Sequence, residues 1–145
     1  MSRGLAVILT VAVGGLVALQ APINAGLGRS TGRLPAALVS FFVGTLILTL
    51  IVSLSGDTGG LRSTFDVPWY YLVGGLLGAA YVTVALISVS TIGAGAVAAA
   101  TVTGQLTTAV VIDRLGLFGL EQTPLSAARL VGVALLLAGT VLIVR

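Results

Sequence analysis

The feature that most constrains this chain is a series of apolar runs, each close to the length that crosses a lipid bilayer. The runs cover residues 4–28, 34–55, 68–90, 93–112 and 124–144. A helix rises about 1.5 Å per residue and the hydrocarbon core is about 30 Å thick, so about 20 residues suffice for one crossing. Only 8% of the residues are charged, whereas a soluble domain carries about 25%. The sequence therefore predicts an all-α integral membrane protein, with one transmembrane domain of five helices over residues 1–145.

The start of the third run carries further signals of a helix that enters a membrane. Trp69, Tyr70 and Tyr71 stand together there, and aromatic side chains of this kind favour the boundary between lipid and water. Asp66 precedes them, just before Pro68, and is predicted to cap the third helix, because a carboxylate accepts hydrogen bonds from free N–H groups there.

The charged residues and the missing residue types exclude several functions. The seven basic residues are all Arg and are scattered between the apolar runs, so they resemble membrane anchors and topology signals rather than a nucleic-acid surface. The chain has no Cys and no His, which removes thiol chemistry, disulfides and the commonest general base and metal ligand. No paired nucleophile or phosphate-binding loop is visible either. We therefore predict a protein that is not an enzyme, with no metal, no cofactor and no nucleic-acid partner.

The distribution of arginines bears on how the chain is oriented. Five spans would place the two termini on opposite sides of the membrane. The N-terminal side would hold Arg3, Arg62, Arg114 and Arg129, and the other side Arg29, Arg33 and Arg145. This bias of four to three slightly favours a cytoplasmic N-terminus, yet it is small enough for insertion both ways. Two opposed copies would form the inverted repeat from which many transporters are built; one weakly determined orientation is the alternative.

Neutral polar residues inside the spans are the candidates for a substrate cavity. Gln20 and Asn24 are four residues apart and share a face of the first helix. Pro22 lies between them and removes a backbone hydrogen bond, which predicts a broken turn there. The remaining candidates on the third and fourth helices are Tyr81, Thr101 and Gln105. The alternative is that these side chains only join helices, at about 0.6 kcal/mol per hydrogen bond.

No span carries an ionisable residue near its centre. Carriers coupled to protons or cations usually keep an intramembrane carboxylate, because it is costly there and is held only for function. Asp113 lies at the end of the fourth span. Two roles are open for it: a helix-end residue paired with Arg114 or Arg129, or a coupling acid.

Glycine is unusually frequent inside the spans, with 20 residues in the chain. In lipid, small residues let helix backbones approach closely, because packing must replace the hydrophobic drive that water supplies. Gly74, Gly78 and Gly104 are therefore predicted to pack helices together, either within the chain or between two chains that slide during transport.

Several stretches, in order along nearly the whole chain, resemble one family. They are Gln20-Ala-Pro-Ile-Asn-Ala-Gly-Leu-Gly-Arg29, Leu38-Val-Ser-Phe-Phe-Val-Gly-Thr45, Gly74-Gly-Leu-Leu-Gly-Ala-Ala-Tyr-Val82, Gly104-Gln105, Asp113-Arg-Leu-Gly-Leu-Phe-Gly119 and Arg129-Leu-Val-Gly-Val-Ala-Leu-Leu-Leu-Ala-Gly139. These stretches resemble the YdcZ-like family of the drug/metabolite transporter (DMT) superfamily, which is related to the EamA-type carriers.

The resemblance implies a multi-pass protein of the bacterial inner membrane, with five helices that form half of a ten-helix DMT-type transporter. By analogy with EamA-type carriers, helices one, three and four would line the cavity, where Gln20, Asn24, Tyr81 and Gln105 fall. The small multidrug resistance relatives use a membrane-embedded Glu in their first helix for proton exchange. This chain offers Gln20 there instead, which argues against the same coupling chemistry.

Together these features predict a carrier of an unknown small molecule that works by alternating access in the lipid bilayer. Its partner would be a second copy of the chain in antiparallel orientation, or a homologous half-transporter. A different class stays open: a non-transporting membrane scaffold or accessory subunit that assembles with another membrane protein.

Overall fold

The computed structural model describes residues 2–145, which form helices and turns and contain no strand. The α-helices are α1 (Arg3–Thr31), α2 (Arg33–Ser55), α3 (Gly59–Arg62), α4 (Val73–Leu115) and α5 (Ala127–Val144). Short 3₁₀ turns cover Ser63–Phe65, Trp69–Leu72 and Leu117–Gly119. The predicted all-α architecture is confirmed.

The helices present apolar side chains outward, as a lipid-facing protein must. Leu54 on α2 is 79% exposed and Leu142 on α5 is 74% exposed. In water this surface would be strongly unfavourable, because each buried square ångström of apolar area is worth about 25 cal/mol. Within residues 2–145, the segments long and apolar enough to cross a membrane are Arg3–Thr31, Arg33–Ser55, Trp69–Leu115 and Ala127–Val144. The protein is an integral membrane protein.

The chain divides into two compact units, Met1–Ser90 and Thr91–Arg145. In the first unit, close packing centres on Gly28 near the end of α1. A Cβ atom at this position would lie 3.7 Å from Cβ of Ala36 on α2 and 3.7 Å from Cδ2 of Leu86 on α4. Ala36 has no exposed surface and Leu86 is 2% exposed. Small residues thus set the distance between the helices of this unit.

Helices α1 and α2 are joined by one residue, Gly32, with φ 88° and ψ 156°. Its N–H donates to the carbonyl of Gly28 at 3.0 Å, and its own carbonyl accepts from the N–H of Ala36 at 3.1 Å. A side chain would be strained at this positive φ. Gly93 has nearly the same dihedral angles, φ 80° and ψ 162°, and interrupts the helical geometry of α4.

Two local expectations from the sequence are wrong. Helix α1 is not broken at Pro22 but continues from Arg3 to Thr31, because the missing N–H removes only one of its backbone hydrogen bonds. Asp66 does not cap α4: its N–H donates to the carbonyl of Ser63 and closes a 3₁₀ turn. The turn Trp69–Leu72 then separates Asp66 from the first residue of α4.

In the second unit, the segment between α4 and α5 is held by a tight turn at Gly116. This residue has φ 61°, and a Cβ atom there would lie 2.6 Å from Cγ of Gln122. The N–H of Thr123 donates to the carbonyl of Asp113 at 2.9 Å, which closes the loop. Ser126 then caps α5, its Oγ accepting from the N–H of Arg129 at 3.2 Å.

We expect Gly116→Ala to destabilise the protein more than Gly119→Ala. Both glycines have positive φ, 61° and 79°, and each substitution carries a backbone cost of about 1–2 kcal/mol. Only at position 116 does the new methyl collide with a neighbour, whereas no atom lies within 4 Å of a Cβ at position 119; the collision adds about 1–3 kcal/mol. Thermal unfolding in detergent compares the two variants, and equal midpoints would contradict the geometry.

Candidate functional site

Three of the predicted cavity residues lie together in the first unit. Gln20 and Asn24 project from α1 and Tyr81 from the first part of α4, and the three line one crevice, with Ala21, Val82 and Ala85 as its apolar wall. Gln20 and Asn24 share this wall because they are one helical turn apart. The crevice therefore concentrates two amides and one phenol among small apolar side chains.

Asn24 is the most distinctive residue of the crevice. It is 6% exposed, and its side-chain nitrogen Nδ2 has no hydrogen-bond partner among residues 2–145. A buried donor without a partner costs about 1–3 kcal/mol, and such groups are rare in native structures. Among residues 2–145, the Asn24 amide is thus a buried donor without an acceptor.

The crevice is closed in this structure. The space between Gln20, Asn24 and Tyr81 has no volume that a water molecule could occupy. A water therefore cannot satisfy the Asn24 amide here, since a bridging water needs room and polar partners. Any solute that reaches Asn24 requires the walls on α1 and α4 to move apart.

The other two predicted cavity residues belong to the second unit, on the later part of α4. Thr101 is half-buried, and Gln105, one turn further, is exposed. Gln105 falls within the apolar run 93–112, at a depth where lipid would surround it. An amide in hydrocarbon without a hydrogen bond costs about 4–8 kcal/mol relative to water. A polar neighbour that bonds to the Gln105 amide would remove much of this cost.

Two polar residues that the sequence pattern did not single out, Thr103 and Thr140, join α4 to α5. Oγ1 of Thr103 and Oγ1 of Thr140 are 2.6 Å apart. The Thr140 hydroxyl also donates to the carbonyl of Ala99 at 3.2 Å, and Oγ1 of Thr103 lies 3.4 Å from the carbonyl of Leu136. Thr103 is 6% exposed, and Ala96, two turns earlier on the same face, is 4% exposed. The small residues at 94–100 of α4 have similar size and hydrophobicity on every side of the helix, so the sequence did not indicate which face of α4 packs inward.

Asp113 forms an ion pair at the end of α4. Its Oδ2 accepts from Nη1 of Arg129 at 3.1 Å, with both side chains 37% exposed. Such a partly exposed pair contributes at most about 1 kcal/mol. The geometry places this acid beside the turn that leads into α5, with its charge already compensated by Arg129.

The three glycines with a predicted packing role differ in their surroundings. A Cβ at Gly78 would lie 3.5 Å from Cζ of Phe41 on α2. A Cβ at Gly74 or Gly104 would meet no atom within 4 Å. Gly78 therefore lies against a neighbour within its unit, and the other two present smooth helix surface.

Comparison with known proteins identifies one family. The family model described as "Putative inner membrane exporter, YdcZ", of the DMT group, matches residues 5–142, which is nearly the whole chain. Comparison with curated proteins and with solved structures gives no match.

We expect Thr103→Val to lower the stability of the second unit by about 0.6–1.7 kcal/mol, because it removes a hydrogen bond between two membrane helices. Thr107→Val is the matched control, since the Thr107 hydroxyl bonds to the carbonyl of Thr103 on its own helix at 2.8 Å. Both variants change a hydroxyl to a methyl on α4. Unfolding in detergent that affects the two variants equally would contradict the role of Thr103.

Proposed function

We propose a function for this chain from one premise: it belongs to the YdcZ family of the drug/metabolite transporter superfamily. It is accordingly a multi-pass protein of the inner membrane with a role in transport. We propose that it exports a small molecule by alternating access and catalyses no reaction. The observation that carries this proposal is the buried Nδ2 of Asn24, which no residue from 2 to 145 satisfies.

The polar groups of the crevice suit a solute with hydrogen-bond acceptors. Asn24 supplies an amide donor, and Gln20 and Tyr81 supply further groups that both donate and accept. Apolar walls with a few placed polar groups are typical of small-molecule sites. While the crevice is closed, the Asn24 donor has no hydrogen-bond partner among residues 2–145. A solute that opens the crevice can therefore bond to Asn24 without breaking an existing hydrogen bond of that amide.

The assembled carrier is proposed to be a dimer, with an antiparallel homodimer as its simplest form. The segment Trp69–Leu115 has 47 residues, about twice the length that one crossing needs, and we propose that it crosses twice with Gly93 between the crossings. The resulting five spans place the termini on opposite sides. A partner chain, identical or homologous, would then cover the exposed Gln105, and Thr101 with it, in the carrier's cavity.

Coupling by an acid in the first helix is not part of this proposal. Gln20 occupies the region where a carboxylate would be needed, and Asp113 is paired with Arg129 at 3.1 Å. We propose that Asp113 fixes the start of α5 and that proton binding at this residue does not drive transport.

A scaffold remains the second candidate, and one observation favours it: the crevice has no room even for water. In that case the polar side chains join helices or partner subunits and never meet a solute. Substitutions that disturb packing, such as Gly78→Leu beside Phe41, would then do more damage than substitutions in the crevice.

We expect Asn24→Ala to reduce solute flux in liposomes by roughly tenfold or more, because a hydrogen bond to the solute is lost. Dimer formation and folding should be unchanged. Gln122→Ala is the control, since Gln122 is an amide outside the crevice, in the loop before α5, where its Nε2 donates to the carbonyl of Leu115; it reports what the loss of an amide hydrogen bond away from the crevice does to flux. The assay screens a broad panel of solutes with the wild-type protein first. A folded, dimeric wild type that moves and binds none of them, together with assembly lost in Gly78→Leu, would support the scaffold instead.

We expect both ends of the chain to be accessible from both sides of the native membrane. The chain has no Cys, so Ser2→Cys and a Cys added after Arg145 each introduce a single thiol for labelling by an impermeant reagent and leave all seven arginines in place. Dual orientation follows from the near balance of arginines. Labelling of each end from one side only would rule out the antiparallel homodimer and direct attention to a parallel dimer or a homologous partner.

A further inference from the structure

The first unit contains a cavity of about 310 Å³ where α1 ends and α2 begins, separate from the crevice at Asn24. Its wall includes Arg29 and Arg33, together with Gly28, Leu86 and Ser90. Pockets for small ligands begin at about 300 Å³, and one water occupies about 30 Å³ in the liquid. The cavity is large enough for a compact polyatomic ion or a lipid headgroup.

The two arginines that line this cavity have no carboxylate partner within the described chain. Among residues 2–145 the ion pair that forms is Arg129 with Asp113, so neither Arg29 nor Arg33 has a carboxylate within 4.0 Å. Both arginines are exposed, so water partly screens the repulsion between their like charges, and the remainder opposes their sharing one cavity. An anion in the cavity would remove this cost.

The backbone contributes both signs of potential here: the C-terminus of α1, with Arg29 in its last turn, is partly negative, and the N-terminus of α2 is partly positive. Helix α2 begins at Arg33, with no acidic residue in its first turn and no side-chain cap. Its free N–H groups carry the partial positive charge of a helix N-terminus. Pro35 contributes no N–H, so Arg33 and Leu34 supply the first donors of this helix.

The position of the cavity along the membrane normal indicates what reaches it. Helices α1 and α2 have 29 and 23 residues, enough to cross about 30 Å of hydrocarbon. The connection at Gly32 therefore lies at the level of the lipid headgroups. Both membrane phosphates and solutes from the adjoining water have access to this level.

We propose that Arg29 and Arg33 form a binding site for a phosphate group in this cavity. Guanidinium groups match phosphate oxygens with paired, charge-assisted hydrogen bonds. The phosphate belongs either to a phospholipid headgroup or to a soluble solute. If the arginines only anchored the helices at the membrane surface, each would need only to reach water. That role does not explain why both line one cavity that lacks a carboxylate. This proposal is independent of transport and of the Asn24 crevice.

The test uses the purified full chain in nanodiscs and follows the midpoint of thermal unfolding, Tm. The first arm compares discs of phosphatidylcholine with discs that contain phosphatidylglycerol. The second arm keeps phosphatidylcholine and compares inorganic phosphate with chloride at equal ionic strength. Each arm is run on wild type, on Arg29→Gln, on Arg33→Gln and on the control Arg62→Gln, which removes the same charge from α3, outside the cavity.

We expect Tm to rise in at least one arm, and each cavity variant to weaken the apparent phosphate affinity by roughly tenfold or more. A rise in the first arm assigns the lipid headgroup, and a rise in the second assigns a soluble phosphate. Arg62→Gln should respond as wild type does. No rise in either arm, or an equal response in the cavity variants and the control, would overturn the proposal. Each single variant keeps one of the two arginines, so we expect it to remain folded and to give a measurable Tm.

Discussion

Lipid as the solvent is the constraint on which the rest of this structure depends. In hydrocarbon, apolar side chains gain nothing by turning inward, so helices are held by close packing and by the few polar contacts between them. Ala36 and Gly28 supply the first kind of contact between α1 and α2, and Thr103 with Thr140 supplies the second between α4 and α5. Stability thus rests on a small number of positions, while large residues such as Leu54 face outward.

Lipid also makes an unpaired polar side chain inside a span energetically costly. Water would satisfy Asn24 and Gln105 at little cost, but lipid cannot, so each amide needs a specific partner. Asn24 is enclosed with its Nδ2 unpaired, and Gln105 is exposed on α4. Asn24 lacks a hydrogen-bond acceptor within the described chain, and Gln105 lacks a neighbour that shields it from lipid. Both conditions motivate the proposal that a solute or a partner chain binds against these residues.

The sequence predicted the helical class, because apolar runs of membrane length with so few charges between them fold stably in lipid and not in water. It also predicted that Gln20 and Asn24 share a face. It could not decide which face of α4 turns inward, since alanines and glycines on every side of the helix leave no amphipathic pattern; Thr103 was overlooked for this reason. Nor could it show that α1 passes through Pro22 unbroken, because local propensity is overruled by the surrounding turns.

The joint at Gly32 has a consequence for how the protein is made. A single residue between α1 and α2 leaves no loop that could wait outside the membrane while the second helix is synthesised. The two helices must enter the bilayer together, as one hairpin. If the N-terminus stays in the cytoplasm, the turn at Gly32 must cross the membrane together with Arg29 and Arg33. Insertion then carries two positive charges through the hydrocarbon in one step. In a chain of the opposite orientation Arg3 crosses instead, so the arginines at the two ends of the first hairpin oppose each other in setting the orientation.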